Sequence, residues 1–400
     1  MRIALVGASV RSAAQSALRA GYQPVGADLF ADSDLEGKNR LVRITDYPAG
    51  LASWLAQTPC AGWIYTGGLE NYPNQVAAMA AECPLLGCGD NVLQAVRSPQ
   101  RLAAALEGAG LRFPETVVYA DVLSSKANPC SLQMAPGRWL QKTYRGSGGS
   151  GVSSLALAGV QLEADGPMED SYVQQYIEGR SCSALYVAAA DRLELLGITG
   201  QLVGELWTGA APYQYCGSIG PWPGLPAGVN EEVERIGAVL VKAFGLVGLF
   251  GVDLIIAGSQ VWTLEVNPRY TASVEILERA SGLQAMGQHV RACQQHRDQQ
   301  AEANRSASSF QSASTSPYHG KVILFARQDV TIQQEFTQWA LGTKSQEGFP
   351  QLADIPRSGT AIRERQPVLT LFAAGESIDE VEGGLRQLVT GVEQNLYKRI

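Results

Sequence analysis

Histidine is scarce in this sequence. The 400 residues include three, His289, His296 and His319, so chemistry built on histidine metal ligands or a histidine triad has little material. Basic charge is not in surplus: 31 Lys and Arg stand against 38 Asp and Glu, a net charge of −7. That excludes nucleic-acid binding through a generally basic surface. The seven cysteines, at positions 60, 83, 88, 130, 182, 216 and 293, are odd in number and form no Cys-x-x-Cys pair. They read as reduced cytoplasmic thiols, not as a disulfide framework or a zinc site. No apolar run reaches the roughly 18 residues of a membrane span. The opening MRIALVGASV lacks the cleavage context of a signal peptide. No repeat of fixed period is present.

Charged residues are also few, 17% against roughly 25% in an average soluble protein. Hydrophobic residues make up 46%, enough for real cores, and the length predicts two or three domains. Glycine is plentiful, with 43 residues, and four of them fall within 146–151. Residues 2–6 read as a buried parallel strand ending at Gly7, and residues 10–20 as a helix closed by Gly21. Strands at PVGADLF and GWIYTGG and a helix over 74–82 continue an open α/β layer to about residue 95. A helix over 99–110 follows. Strands are expected at 138–143, 152–158, 172–177 and 182–190, and a periodic helix at 231–244. Runs 249–256 and 261–267 predict a hairpin around Gly258-Ser259. The Ser-rich stretch 298–316 reads as a linker. Beyond it, strand-like KVILFA and a helix over 378–397 suggest a small α+β module.

Three constellations bear on chemistry. The first is Lys142-Thr-Tyr-Arg-Gly-Ser-Gly-Gly-Ser-Gly151, a glycine-rich loop preceded by a lysine. Backbone N–H groups of such a loop can crowd around phosphate oxygens; the alternative is an ordinary mobile hairpin. No GK[ST] ends it and no helix follows, so it is not a Walker A loop. The second is Asp253 in FGVDLII with Glu265, Asn267 and Arg269 in TLEVNPR. Two acids on adjacent strands, facing one way, would offer oxygen ligands for Mg²⁺, with Asn267 on the same side and Arg269 beside them to hold an anion. The other reading is two solvent-facing strand acids, which sits poorly with their apolar neighbours. The third, weaker, is the strand Tyr172–Ile177 ending at Gly179, which can present backbone groups to a flat base. Glu70 and Asn71 follow a Gly-Gly turn at a strand end, the edge where open α/β sheets bind ligands, and are substrate candidates. Trp207, Tyr213, Tyr215 and Trp222 either pack the core or wall an acceptor site, and His319 reads as structural.

In this order, lysine and glycine loop, then strand, then acid and ExNPR, the sequence resembles the ATP-grasp superfamily of carboxylate–amine/thiol ligases. The likeness covers roughly residues 1–290 and is most specific over 138–282. It implies an ATP-grasp fold, α/β and α+β: an α/β pre-ATP-grasp domain over 1–96 and an ATP-grasp domain over 97–297. The latter would have a flexible lobe at about 115–175 and a metal-binding lobe at about 176–297. A linker over 298–317 and a C-terminal module over 318–400 would complete the chain. By resemblance, Lys142 contacts the nucleotide phosphates, and residues 146–151, with Gly146, Ser147, Gly148 and Gly149, form the loop closing over them. Gln174, Gln175, Tyr176, Ile177 and Glu178 form the nucleotide hinge. Asp253, Glu265 and Asn267 ligate Mg²⁺, and Arg269 orients the acyl phosphate or the substrate carboxylate. A second ATP lysine common in the family is replaced by the stretch Arg97-Ser-Pro-Gln-Arg101. No Glu stands two residues after Gly179, which leaves Glu178 or Ser181 for the ribose.

The strings GASVRSAAQSALRAGY, DLFADSDL, YTGGLENYP and CSAL resemble a subgroup linked to one-carbon cofactor synthesis that includes tyramine–glutamate ligases. The implied reaction joins a small carboxylate and an amine through an acyl phosphate, with ATP and Mg²⁺ as cofactors and ADP as product. The rivals are a carboxylase-like or kinase-like member, and a nucleotide-binding protein with a degenerate site. A homodimer is in keeping with the family; nucleic acid and membrane are not expected partners.

Overall fold

The computed structural model describes residues 1–35, 41–118, 137–155, 170–189, 192–299, 318–343 and 349–398. The chain opens with a parallel sheet of β1 (Arg2–Val6), β2 (Gln23–Asp28), β3 (Leu41–Arg43) and β4 (Trp63–Tyr65), in the order β3-β2-β1-β4. β1 is flanked on both sides, so its residues 3–6 are buried, as a continuous apolar run requires. Helices α1 (Arg11–Arg19), α2 (Gly50–Ala56) and α3 (Pro73–Glu82) make the crossovers. α4 (Asp90–Val96) and α5 (Pro99–Glu107) lead out; Ser98 caps α5 by accepting from the Arg101 N–H.

A second sheet, ordered β5-β8-β6-β7, is antiparallel: β5 (Thr116–Val118), β6 (Trp139–Thr143), β7 (Val152–Leu155) and β8 (Ser171–Gln175). The chain then crosses into the largest sheet. This begins with β9 (Arg180–Ala188), β10 (Leu193–Val203) and β11 (Tyr215–Gly220). Helix α6 (Val229–Phe244) carries Glu231 and Glu232 in its first turn, Lys242 in its last and left-handed Gly245 after it, each suited to the helix dipole or the C-cap. β12 (Gly248–Ala257) and β13 (Gln260–Asn267) form the expected hairpin, with Gly258 at φ +61° in its turn. α7 (Ser273–Ser281) and α8 (Ala285–Gln299) follow. All but the first two residues of the proposed linker lie outside the described residues.

The C-terminal residues do not stand apart as a module. β14 (Tyr318–Phe325) pairs with β11, and the sheet continues through β18 to β16. Its order is β13-β12-β9-β10-β11-β14-β18-β16, eight strands among the described residues. Here β15 (Val330–Thr331) pairs with β17 (Ala361–Ile362) beside helix α9 (Gln334–Gly342). β16 is Leu352–Ala353, β18 is Pro367–Gly375, and α10 (Ile378–Leu396) covers this end. No helix among the described residues is long and apolar enough to cross a membrane.

One apolar cluster runs from Ile3 and Leu5 through Leu86 and Val96 to Leu185, Phe250 and Val290, so the parallel sheet and the largest sheet share a core. A second lies under α10. Charge joins the ends of the chain. Arg11, 1% exposed, donates to Asp354 (2.7 Å) and Glu275 (2.7 Å), and Lys321 donates to the other oxygen of Glu275 (3.4 Å). Arg11, Glu275 and Lys321 are buried and Asp354 partly so, which is tolerable only because the charges are paired.

Candidate active site

The β12–β13 hairpin places the two acids. A register shift just after Asp253 sets it directly opposite Glu265, and Asn267 lies two residues on, opposite Gly251. All three side chains therefore share one face. The Asp253 carboxylate accepts from Gln201 Nε2 (2.9 Å) and from Asn267 Nδ2 (3.2 Å), and Asn267 Nδ2 also donates to Glu265 (3.2 Å). Asp253 and Glu265 face each other across the hairpin, close enough for each to alter the other's ionisation. Burial and the neighbouring Glu265 charge push Asp253 well up. Burial also opposes ionisation of Glu265, but Lys142, Asp253 and Arg97 together hold it below its ordinary value.

Two buried acids set face to face mark a place where a divalent cation fits, since the cation would neutralise both. Asp253 and Glu265 are oxygen donors of the hard kind that Mg²⁺ takes. Asn267 presents its amide nitrogen to both acids and its oxygen to Arg269 Nη2 (3.1 Å), so it joins as an oxygen ligand only after a half-turn of the amide. Among the described residues no group of three or more His, Cys, Asp and Glu is gathered for a metal.

Lys142 reaches this pair from β6. Its Nζ donates to Gln174 Oε1 (2.9 Å), and Gln174 Nε2 donates to Thr116 (3.1 Å). Burial lowers the lysine, with Glu265 and Asp253 pulling the other way. Gln174 is itself buried, so its side chain braces the lysine and does not face a hinge. The backbone of the predicted hinge is partly engaged: the Gln175 N–H donates to Glu115 O and the Tyr176 N–H to Arg138 O. The Tyr176 ring lies under the Arg138 guanidinium, 3.9 Å away. Ile177 and Glu178 lead to Gly179, where a Cβ would stand 2.6 Å from Ile255. The hinge segment thus joins the second sheet to the largest one.

The glycine loop lies folded against the chain after β10. The Tyr215 N–H donates to Gly148 O (3.0 Å). Gly149 has φ +81°, and a Cβ there would sit 1.9 Å from Tyr213 O. Only glycine admits this approach. A Cβ on Gly146 would also be crowded, 2.6 Å from Ser150 O, whereas Ser147 is exposed.

Arg269 links the acid pair to the parallel sheet. Its Nε donates to Glu70 Oε1 (2.6 Å), and its guanidinium lies over Gly67. Glu70, 1% exposed, also faces Arg97 Nη2 (3.4 Å), while its Oε2 has no hydrogen-bond partner. Arg97 Nη1 in turn donates to the carbonyls of Tyr144 (3.4 Å) and Gly146 (3.3 Å), and Asn71 Nδ2 to that of Arg145 (3.1 Å). Of the substrate candidates, Asn71 thus touches the glycine loop directly and Glu70 through Arg97. Of the two arginines in the stretch that replaces the family's second lysine, Arg97 is at the site, whereas Arg101 is exposed on α5.

Sequence reasoning missed Gln201, which orients Asp253, and the bracing role of Gln174. Both are uncharged residues whose partners come from other strands, so no local pattern marks them. The four aromatic residues form no single wall. Trp207 stacks with Arg386, Trp222 with Arg180, Tyr213 bonds Ser154 and Tyr215 bonds Ser218.

The profile of the ATP-grasp domain family matches residues 100–273, the span that carries the lysine, the loop and the acid pair. The carbamoyl phosphate synthase large chain of Myxococcus xanthus is 23% identical over 236 residues, 57% of this chain; the match spans only 21% of that longer protein. Two solved structures share the fold along nearly the whole length. The ADP complex of an N5-carboxyaminoimidazole ribonucleotide synthetase has a TM-score of 0.70 at 14% identity, covering 99% of this chain and 98% of that one. The L-amino acid ligase from Bacillus licheniformis has a TM-score of 0.66 at 15% identity, covering 97% and 96%. The family profile lies on the residues that build the site, so residues 100–273 carry an ATP-grasp domain, and the fold of the whole chain matches those two structures end to end.

Proposed function

We propose that this ATP-grasp ligase joins a small carboxylic acid to an amine, consuming Mg·ATP and releasing ADP by way of an acyl phosphate. The observation that carries the reading is the Asp253–Glu265 pair, set face to face with Lys142 on one side and Arg269 on the other. Asp253 and Glu265, with Asn267 after its amide turns, would hold Mg²⁺. The cation supplies charge neutralisation for the phosphate oxygens when bound. Lys142, kept in place by Gln174, adds a fixed positive charge for the phosphates. The backbone of 146–151 covers them and excludes water. The segment 175–178 offers backbone groups to the base, with Gln174 as a brace behind it. Arg269, held by Glu70, aims its guanidinium at the acid being activated. Glu70 and Asn71 border the place for the second substrate. The chain contributes positioning and charge, and no side-chain nucleophile is required.

The likeness of the four strings GASVRSAAQSALRAGY, DLFADSDL, YTGGLENYP and CSAL to the one-carbon cofactor subgroup supports glutamate and an arylalkyl amine such as tyramine as first substrates to try. The test is ADP release with acid and amine pairs. Glu265→Gln should lower turnover by a factor on the order of 10²–10³ with the fold intact by circular dichroism. Turnover within tenfold of the parent would sink the reading. ADP formation that depends on bicarbonate and needs no amine would favour the carboxylase-like alternative instead.

A further inference from the structure

Cys60 and Cys83 lie at the end of the parallel sheet remote from the site. Their Sγ atoms are 3.5 Å apart, across 23 residues of sequence. The backbone fixes this closeness. Trp63 bridges Leu85 in parallel fashion, its N–H donates to Pro84 O (2.9 Å), and the Leu86 N–H returns to Trp63 O (2.8 Å). The Trp63 indole also donates to Cys83 O (2.9 Å). Cys60 and Cys83 therefore sit just upstream of two laterally bonded segments, side by side. Neighbouring parallel backbones lie about 5 Å apart, within the Cα separation that a disulfide spans. Access differs sharply among the thiols. Cys60 and Cys83 are half-buried, Cys88, Cys182, Cys216 and Cys293 are buried, and Cys130 lies outside the described residues. An open groove of about 410 Å³, lined by Ala80, Cys83, Leu85 and Arg297, reaches the Cys83 side of the pair.

The geometry points to Cys60 and Cys83 as an oxidisable dithiol that closes to a disulfide with a small disulfide such as oxidised glutathione. The thiolate of one cysteine attacks one glutathione sulfur, the glutathione S–S bond breaks, and one glutathione leaves, taking up a proton. The other cysteine then loses its proton, its sulfur attacks the first cysteine's Sγ in the mixed disulfide, and the second glutathione leaves, taking up a proton. In total two protein thiols are oxidised and one small disulfide becomes two thiols.

The full-length protein, titrated with oxidised glutathione and mapped by peptide mass spectrometry, should lose two hydrogens and yield a peptide linking Cys60 to Cys83. The melting temperature should rise by a few degrees, because the bond closes a loop in the unfolded chain. Dithiothreitol should reverse both changes. Cys60→Ser and Cys83→Ser should each abolish the cross-link and the rise in melting temperature, leaving at most a glutathione adduct on the remaining thiol. A wild-type protein that shows only stable adducts, a cross-link through another cysteine, or no reaction overturns the inference. None of these readouts depends on the ligase activity.

Discussion

Glu70 shows how much one side chain can connect. It is buried, meets Arg269 and Arg97 with one oxygen and leaves the other unpartnered. A lone carboxylate at this depth would be costly, and two guanidinium groups offset the cost. Through Arg269 it bears on the acid pair, and through Arg97 on the carbonyls of the glycine loop. Glu70→Gln keeps the shape and removes the charge. Turnover should fall by about 10- to 100-fold, with KM rising for both ATP and the acid, as expected when positioning is lost. Steady-state kinetics with the two varied separately check this; a rise confined to one substrate would disconnect Glu70 from the other. In the sequence Glu70 and Arg97 stand 27 residues apart with nothing to join them, so only the folded chain shows the connection.

The glycine loop is the element whose form is most tightly dictated. Gly149 combines φ +81° with a carbonyl in the place of its missing side chain. Gly149→Ala would strain the backbone and push the loop off Tyr213, which costs about 1–3 kcal/mol in such settings. The expected outcome is a KM for ATP raised roughly tenfold or more, with a modest fall in melting temperature; an unchanged KM would show that the loop position is irrelevant to nucleotide binding. Elements with strong local signals were legible before folding: the buried run of β1, the amphipathic α6 and the turn glycine between β12 and β13 all form where periodicity and turn chemistry place them. β10, β11 and α7 were not legible, because their pattern answers to partners far along the chain. The acids of the site could be read because charge between apolar runs is conspicuous. Gln174 and Gln201 could not, since a neutral amide gains meaning only from what it touches. The glycine loop read as a cover for phosphates, but its packing on residues 213–215 was invisible without the largest sheet.

At the scale of the molecule, His289 acts as a rivet. Its Nδ1 accepts from the Leu249 N–H (2.8 Å) and its Nε2 faces Leu86 O (3.0 Å), so α8 joins β12 to the segment after α3. This arrangement needs a neutral ring with the proton on Nε2, because a protonated Nδ1 would confront the Leu249 N–H. Burial pulls the imidazole down to about 4, against about 6.5 in an unfolded chain. The unfolded state thus binds the extra proton first. The stabilisation is complete above pH ~6.5 and is lost as pH falls toward 4, amounting to about 3 kcal/mol. Denaturant midpoints of the wild type should drop across that window by more than those of His289→Asn; parallel curves would refute it.

The pairing of β11 with β14 carries a consequence for anyone who would shorten this protein. The family profile ends at residue 273, which invites a cut after α8. That cut would strip β14 from the largest sheet and bare the backbone donors and acceptors of Gly217–Gly220. It would also leave Arg11 and Glu275 without Asp354 and Lys321. A naked strand edge is a template for aggregation. A fragment meant to keep the Asp253–Glu265 face on a covered sheet therefore runs through α10, whose Val381, Leu385 and Val389 close the second core.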